Sequence, residues 1–425
     1  MSPFPIFWAP SRRTGLTKTQ TALIVLVVIL FIVAVASYFL LIPSGPEKIV
    51  IGAVGPLTPP GSAVAGKEMK MALELAVEEV NKNGGVLGKP VELIFEDSSG
   101  LPEKGAAAVE KLITKDRVVG IVGEFHSSAC LAEIEVTHRY HIPFIIVDAW
   151  ANDLTAKGYK EVFRVGPSNL IFIDNIVDFI KGMGFKRIAL IVEDTDFGFE
   201  NQKILKSRLP KNIEIVGEVV VDRTAKDFTP QLLKLKTEPP PDLIVNIMTG
   251  VGVYLSVKQA HDIGLCPTPE TLMFHAGGDA AYWKEYWETT GEAGLYGIYQ
   301  TTYHAKAVFS EKTLPFVQRF KEKYGRDPTY VALQSYDAIM VLIDAIKRAG
   351  STDPDALITA LEKTDFLGTR GRITFMTAEK DPSYYHQYYT RFLFIQYQKV
   401  GQPDSEAEIV FPKELATSGI KYPPS

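Results

Sequence analysis

The chain has 425 residues, 46% hydrophobic and 22% charged, with 45 Lys+Arg against 50 Asp+Glu for a formal net charge of −5. That length allows about two or three domains, each with its own core; the acidic balance excludes the basic face of a nucleic-acid-binding protein. Two cysteines, Cys130 and Cys266, exclude a disulfide scaffold and a cysteine-rich metal site.

The mean hydropathy of +0.05 is high for a soluble protein, and most of the excess sits in residues 21–43. That run, TALIVLVVILFIVAVASYFLLIP, holds no charged residue over 23 positions (21 to 43 inclusive). At about 1.5 Å per residue it is long enough to cross a hydrocarbon core of about 30 Å as a helix. No second run of that length occurs, so a single span is expected, with 1–20 as a cytoplasmic or signal segment. Arg12, Arg13 and Lys18 precede the run, while Glu47 and Lys48 follow without net charge. The positive-inside bias places the N-terminus in the cytoplasm and residues from 46 onward outside the cell membrane. A cleaved secretory signal with Ala34-Val35-Ala36 as its small-residue site is the competing reading, and it would leave the apolar SYFLLIP at the new terminus. The string Arg13-Thr14-Gly15-Leu16-Thr17-Lys18-Thr19-Gln20 ahead of the run resembles the prepilin-like signals of archaeal surface binding proteins. That resemblance implies cleavage after Gly15 with the helix kept on the mature protein; Thr14 departs from the usual basic residue.

After the Pro43-Ser44-Gly45-Pro46 break, strands and helices alternate. Residues 48–54 are a β-branched strand. Residues 67–82 carry Ala72, Leu73, Ala76, Val77 and Val80 at helical spacing and stop at Gly84-Gly85. Strands follow at 91–96, 118–122 and 144–147, with a helix opened by Pro102 and another over about 129–140. This βαβαβα order calls for a mostly parallel sheet covered on both faces. The pattern restarts at Ser168, a helix cap, with strands at 188–192, 214–221, 243–247 and 272–275. Helices are expected near 199–209, 229–237, 252–263 and 280–289. Residues 329–349 form a strong amphipathic helix that can return to the first lobe.

GxSxG, HExxH and P-loop strings are absent, so no catalytic residue and no cofactor is expected. His138 and His141, with Glu135 one turn earlier, have metal-ligand spacing but no fourth ligand in sight, and read as surface histidines. Gly250-Val251-Gly252 is a tight strand-to-helix turn or a fragment of a dinucleotide fingerprint. The loop Gly123-Glu124-Phe125-His126-Ser127-Ser128 leaves a strand and enters a helix, which is where free backbone N–H groups and hydroxyls can take a carboxylate. The plainer reading is that Ser127 or Ser128 caps that helix.

Strings in order over 49–410 resemble the extracellular binding proteins of branched-chain amino-acid (Leu/Ile/Val) ABC transporters. They include Leu75-Ala76-Val77-Glu78-Glu79-Val80-Asn81 with Gly84-Gly85, Gly120-Ile121-Val122-Gly123, Leu154-Thr155-Ala156-Lys157-Gly158, Phe163-Arg164, Asp227-Phe228-Thr229 and Tyr336-Asp337-Ala338. The resemblance implies an α/β type I periplasmic binding fold: two doubly wound, Rossmann-like lobes joined by three crossing segments, with the ligand in the cleft. The crossings then fall near Gly166-Pro167, 299–302 and 368–371. Lobe 1 is 48–167 with 301–370, and lobe 2 is 168–300 with 371–415. Cys130 and Cys266 fall in different lobes and stay unpaired. Ser99 and His126 stand where some relatives carry a disulfide.

By the same resemblance, Ser127 and Ser128, beside His126, keep the carboxylate loop, while Trp150, between Ala149 and Ala151, replaces a threonine. Ala65 stands for a lobe 1 tyrosine, Phe197 for a lobe 2 aromatic hydroxyl, and Thr249 falls near another tyrosine position. The acid that pairs with an ammonium maps onto Gly278, with Asp279 next; Asp279 is either that acid or the cap of the following helix. Asp194 is a second candidate, or a solvated turn acid. Trp150 offers a face to a ligand or fills lobe 1 core. The expected protein is no enzyme. It is a membrane-tethered, extracellular solute-binding protein that hands an amino-acid-like, amide or carboxylate ligand to an ABC permease. The alternative is a ligand sensor of the same fold.

Overall fold

The computed structural model describes residues 17–41, 48–222, 225–249, 251–276, 285–377 and 382–424. They divide into an N-terminal unit ending at Glu47 and a second unit, Lys48–Ser425. The N-terminal unit is one helix, α1 (Lys18–Leu41), of 24 residues, or about 36 Å at 1.5 Å per residue. Among the described residues no helix is long and apolar enough to cross a membrane. The side chains of α1 are described only from Lys18 to Ile32, a stretch shorter than a span, and its apolar members are exposed.

In the second unit, β1 (Ile49–Gly55), β2 (Val91–Asp97), β3 (Ile121–Gly123), β4 (Phe144–Ile146) and β5 (Val162–Arg164) form one parallel sheet of order β2-β1-β3-β4-β5. The connections are α2 (Ala63–Lys82), α3 (Pro102–Thr114), α4 (Ser127–Tyr140) and the single turn α5 (Asp153–Ala156). Side chains alternate across the sheet as the period of two requires. In β4, Ile145 enters one core while Phe144 and Ile146 enter another, shared with α3 and α4.

The chain then runs through α6 (Asn169–Met183), β6 (Arg187–Glu193), α7 (Asp196–Arg208), β7 (Glu214–Val221), α8 (Thr229–Leu232), β8 (Leu243–Ile247), α9 (Val251–Asp262), β9 (Leu272–His275), α10 (Glu285–Thr290) and β10 (Ile298–Thr301). It continues through α11 (Thr313–Tyr324), α12 (Tyr330–Ala349), α13 (Pro354–Glu362), the hairpin β11 (Phe366–Gly368) and β12 (Gly371–Ile373), then β13 (Leu393–Gln396) and β14 (Glu408–Phe411). The second sheet has the order β14-β13-β10-β9-β8-β6-β7, parallel except for the pairings of β13. Leu272 and Phe274 of β9 face one of its cores and Met273 the other.

The amphipathic helix expected over 329–349 is α12. It returns to the first sheet, where Ala332, Leu342 and Ile346 share a core with Met69, Leu73 and Val122. The helix expected over 229–237 is shorter: α8 ends at Leu232 and a 3-10 turn takes over at Leu233–Leu235, ahead of the rigid prolines 239–241. Helix starts carry the side-chain oxygens their N–H groups need. Ser168 Oγ accepts from Ile171 on α6, Thr195 Oγ1 from Gly198 on α7, and Thr329 Oγ1 from Val331 on α12.

Candidate ligand-binding site

In open α/β sheets ligands gather beyond the carboxyl ends of the strands. In the first sheet β3 ends there at Gly123 and β4 at Ile146, and the segments after them are tied together. Ser127 opens α4, but its hydroxyl is not a cap for that helix. Its Oγ accepts the backbone N–H groups of Trp150 and Ala151, each at 3.1 Å. Ser128, one residue on, is exposed. His126 Nε2 accepts the Ser62 N–H at 2.9 Å. Burial pulls the His126 pKa below its ordinary value against the opposing charge of Glu124, so the ring is neutral at neutral pH. Gly100, with φ +67°, lies against the same ring: a Cβ there would sit 2.5 Å from His126 Cδ2. The loops carrying Gly100 and His126 thus touch here through a glycine and an imidazole. Cys130 and Cys266 are free, and they are buried in different cores.

Beneath this loop lies a buried acid pair. Glu124 Oε1 accepts the N–H groups of Phe125 and His126 at 2.8 and 3.0 Å. Glu133, on the inner face of α4, is fully buried. Burial, and then the neighbouring Glu124, push its carboxyl well above the usual range, favouring the neutral acid. Burial, and then Glu133 and Glu124, raise the Cys130 thiol as well, which leaves it unreactive.

Trp150 is half-buried. Its Nε1 donates to Asp148 Oδ1 at 2.8 Å, and its ring centroid lies 5.3 Å from Phe172 and 5.9 Å from Phe392. It packs against the second sheet's core. Of the two readings of Trp150, ligand face or first-lobe core, the second is corrected: the ring packs on the second sheet's core, which the passage from β5 to α6 brings beside the loop. Ala149 is buried, and its carbonyl accepts from Arg164 Nη1 at 3.1 Å; Ala151 O accepts from the same nitrogen at 2.7 Å. Arg164 also reaches Thr155 Oγ1 and Gln387 Oε1. Burial pulls its pKa down to about 9, so it stays charged at neutral pH.

On the second sheet, Glu193 at the end of β6 is 1% exposed. Its Oε1 accepts the Thr195 hydroxyl at 2.5 Å, and its Oε2 accepts the Thr249 N–H and hydroxyl at 2.8 and 3.0 Å. Thr249 therefore spends its hydroxyl on Glu193. Asp194 is exposed, and its N–H bonds Val221 O at 3.0 Å. Phe197 is half-buried against the second sheet's core. Gly278 and Asp279, and with them the choice between cap and ammonium partner, lie outside the described residues.

Of the expected residues, His126, Ser127, Ala149 and Trp150 form one connected patch, and Thr249 joins Glu193. Asp194, which follows Glu193 in the chain, is exposed. Sequence reasoning missed Glu193 and Arg164, and also Asn152 and Glu200, whose side chains meet at 2.7 Å. The β-branched run 188–192 ending on consecutive acids was the available signal for Glu193. A hollow of about 520 Å³, lined by residues such as Lys236, Pro241, Gly264 and Thr271, lies at the amino ends of β8 and β9, away from this patch.

His138 and His141 lie at the surface as expected, their side chains 47% and 33% exposed, and they also bind carboxylates. Their Nδ1 atoms lie 3.0 and 2.5 Å from the buried Glu161 carboxylate, and His141 Nε2 lies 2.9 Å from Asp355. Among the described residues no group of three or more His, Cys, Asp or Glu side chains is arranged to hold a metal ion.

Two sheets joined in this order, with polar groups gathered at their carboxyl strand ends, define a bilobal binding protein. The family model for periplasmic binding proteins matches residues 48–397, and the chain belongs to that family. Leu/Ile/Val-binding protein homolog 3 of Brucella melitensis is 28% identical over 314 residues, 73% of this chain and 82% of that protein. Leucine-binding protein LivK of Thermotoga maritima superposes with a TM-score of 0.69 at 26% identity, covering 85% of this chain and 97% of LivK. LivJ of Streptococcus pneumoniae, solved with isoleucine, gives 0.70 at 23% identity, covering 86% and 100%. The chain is a substrate-binding protein of the ABC-transporter class, a family that holds ligands and does not turn them over.

Proposed function

We propose that this chain captures an amino-acid-like solute bearing a carboxylate or amide and delivers it to the permease of an ABC importer. The carrying observation is the connected patch of His126, Ser127 and Trp150 beside the exposed Ser128 at the start of α4. Free N–H groups at a helix start favour a carboxylate. The ligand lies between a first lobe (48–167 with 301–370) and a second (168–300 with 371–415), which closes over it by hinge motion. Glu193 gives the second wall a carboxyl group whose hydrogen bonds come from the neutral donors of Thr195 and Thr249, which suits a ligand ammonium. Thermal unfolding of the full-length chain in detergent, with a panel of amino acids, amides and small organic acids, tests this. A true ligand at about 100 times its Kd adds about 2.7 kcal/mol; no shift with any member of the panel defeats the assignment.

The same reading makes α1 a membrane anchor, with residues 48–425 on the outer side and processing after Gly15. The 23 uncharged positions over 21–43 support it. Carbonate-resistant membrane association, lost when residues 1–45 are removed, is the expected result. Intact mass of the mature protein reads the processing site, and a chain still beginning at Met1 rules out cleavage.

A further inference from the structure

The loop after β4 belongs by sequence to the first lobe, where Ser127 and Arg164 hold it, yet others of its polar atoms are spent on the second. The Trp150 carbonyl accepts the Asn169 N–H at 2.9 Å, and Asn152 Oδ1 accepts the Leu170 N–H at 3.1 Å. With Ser168 Oγ on Ile171 at 3.2 Å, the first three N–H groups of α6 are all satisfied, two of them by this loop. A helix otherwise leaves such groups unpaired. Beyond α6, Glu200 on α7 closes a bridge. Its Oε1 accepts Asn152 Nδ2 and its Oε2 accepts Asn169 Nδ2, both at 2.7 Å. On its other side the loop hangs from Ser127 Oγ through the Trp150 and Ala151 N–H groups.

We infer that Trp150 and Asn152 are positioning residues for ligand capture. Their loop links the ligand-facing start of α4 to α6 and α7, and the Asn152–Glu200–Asn169 bridge biases the balance between open and closed lobes. The chain of contacts is continuous: Ser127 Oγ holds the loop, the loop caps α6, and Glu200 holds the loop and α6 together. A solute that docks on Ser127 and Ser128 therefore presses on a segment already fastened to the second lobe. This rests on the solute-binding reading above, but the bridge acts with the cleft empty as well as full. Each amide-to-carboxylate bond is charge-assisted and part-buried, the stronger kind of hydrogen bond.

The chemistry singles out a pair of variants. Glu200→Ala removes both acceptors. Glu200→Gln keeps both links, because Asn169 Oδ1 is buried and unpaired: once Asn169 turns its amide, that oxygen accepts from the new side-chain amide. Spin labels on Lys67→Cys of α2 and Lys203→Cys of α7, both exposed positions, report the distance between lobes. The native cysteines are buried and stay unlabelled. In the ligand-free, full-length chain, Glu200→Ala and Asn152→Ala are expected to shift the open-to-closed ratio roughly tenfold. Glu200→Gln is expected to keep the native distribution. A merely structural role would lower the melting temperature and leave the distances alone. Unchanged distances in Glu200→Ala, or Glu200→Gln as disturbed as Glu200→Ala, overturn the inference. Should Asn152→Ala fail to fold, the two Glu200 variants decide alone. Failure of the ligand assignment would appear in the unfolding panel and leave these ligand-free distances untouched.

Discussion

Glu193 Oε2 accepts both the backbone N–H and the hydroxyl of Thr249, at 2.8 and 3.0 Å, and so joins the ends of β6 and β8 with one buried atom. Replacing Glu193 with Ala leaves three donors unpaired, from Thr195 and Thr249. A loss of about 2 kcal/mol of stability is expected. Glu193→Gln keeps one acceptor oxygen and should lose less. Chemical denaturation of the two variants measures the difference; equal stability would show that water replaces the carboxylate without cost.

Ser127 and Ser128 should separate stability from binding. Ser127→Ala strands the N–H groups of Trp150 and Ala151, at a cost of about 1–3 kcal/mol. Ser128 is exposed, so Ser128→Ala should leave the melting temperature within about a degree, since surface changes stay within about 0.5 kcal/mol. It should still weaken ligand binding. Calorimetry with a ligand from the unfolding panel reads both; Ser128→Ala with native affinity would remove that side chain from the site.

The histidine cluster on α4 predicts a pH dependence. Hydrogen bonds to Asp355 and then Glu161 hold His141 above its ordinary pKa of 6.5. That contribution is complete below 6.5 and fades as pH rises through the higher folded-state value. For Glu161, burial pushes upward, but the bonds from His138 and His141 prevail and hold it below 4.5. Its contribution is complete above 4.5 and fades as pH falls below. The cluster is therefore strongest between about 4.5 and 6.5. Melting curves of the wild type and His141→Gln should differ most near pH 5.5 and converge once pH has risen past the raised folded-state value of His141. A gap that is constant with pH would contradict the charged pairing.

Asp337 and Arg370 form a pair whose side chains are 0% and 2% exposed. Asp337 Oδ1 also accepts the Thr369 N–H at 2.6 Å, which fastens the β11–β12 turn to α12. Gly368 is required there, since a Cβ would fall 2.7 Å from Asp337 Oδ1. Asp337→Ala should cost about 3–5 kcal/mol, because it leaves a buried guanidinium uncompensated. Denaturant midpoints of Asp337→Ala and of the double variant Asp337→Ala/Arg370→Leu test this; the double variant should recover part of the loss.

The apolar runs of the second lobe's parallel strands were legible in the sequence: 214–221, 243–247 and the four-residue 272–275 have the same bounds in the fold. The strands β11 to β14 were not read: they stand outside the alternating strand–helix order that marks the others, and their pairing is antiparallel. At the site, Ser127 was found by its place at a helix start, but its role as acceptor for the Trp150 N–H was not, since Trp150 lies 23 residues away. Arg164 meets Gln387 across 223 residues and Asn152 meets Glu200 across 48. Such partners are chosen by chain crossings, which no local pattern encodes. The core on which Trp150 packs was not legible for the same reason: its neighbours Phe172 and Phe392 come from beyond the crossings.

The return of α12 to the first sheet has a consequence for how the protein is made. The last strand of that sheet ends at Arg164, and the helix that seals its core begins at Tyr330. A ribosome adding roughly 5–20 residues per second needs roughly 10–30 seconds to cover that interval. During it, Met69, Leu73 and Val122 have no α12 to pack on. The nascent first half is thus an unfinished, sticky intermediate, and a factor that shields it until the later helix emerges would raise the yield of the whole molecule.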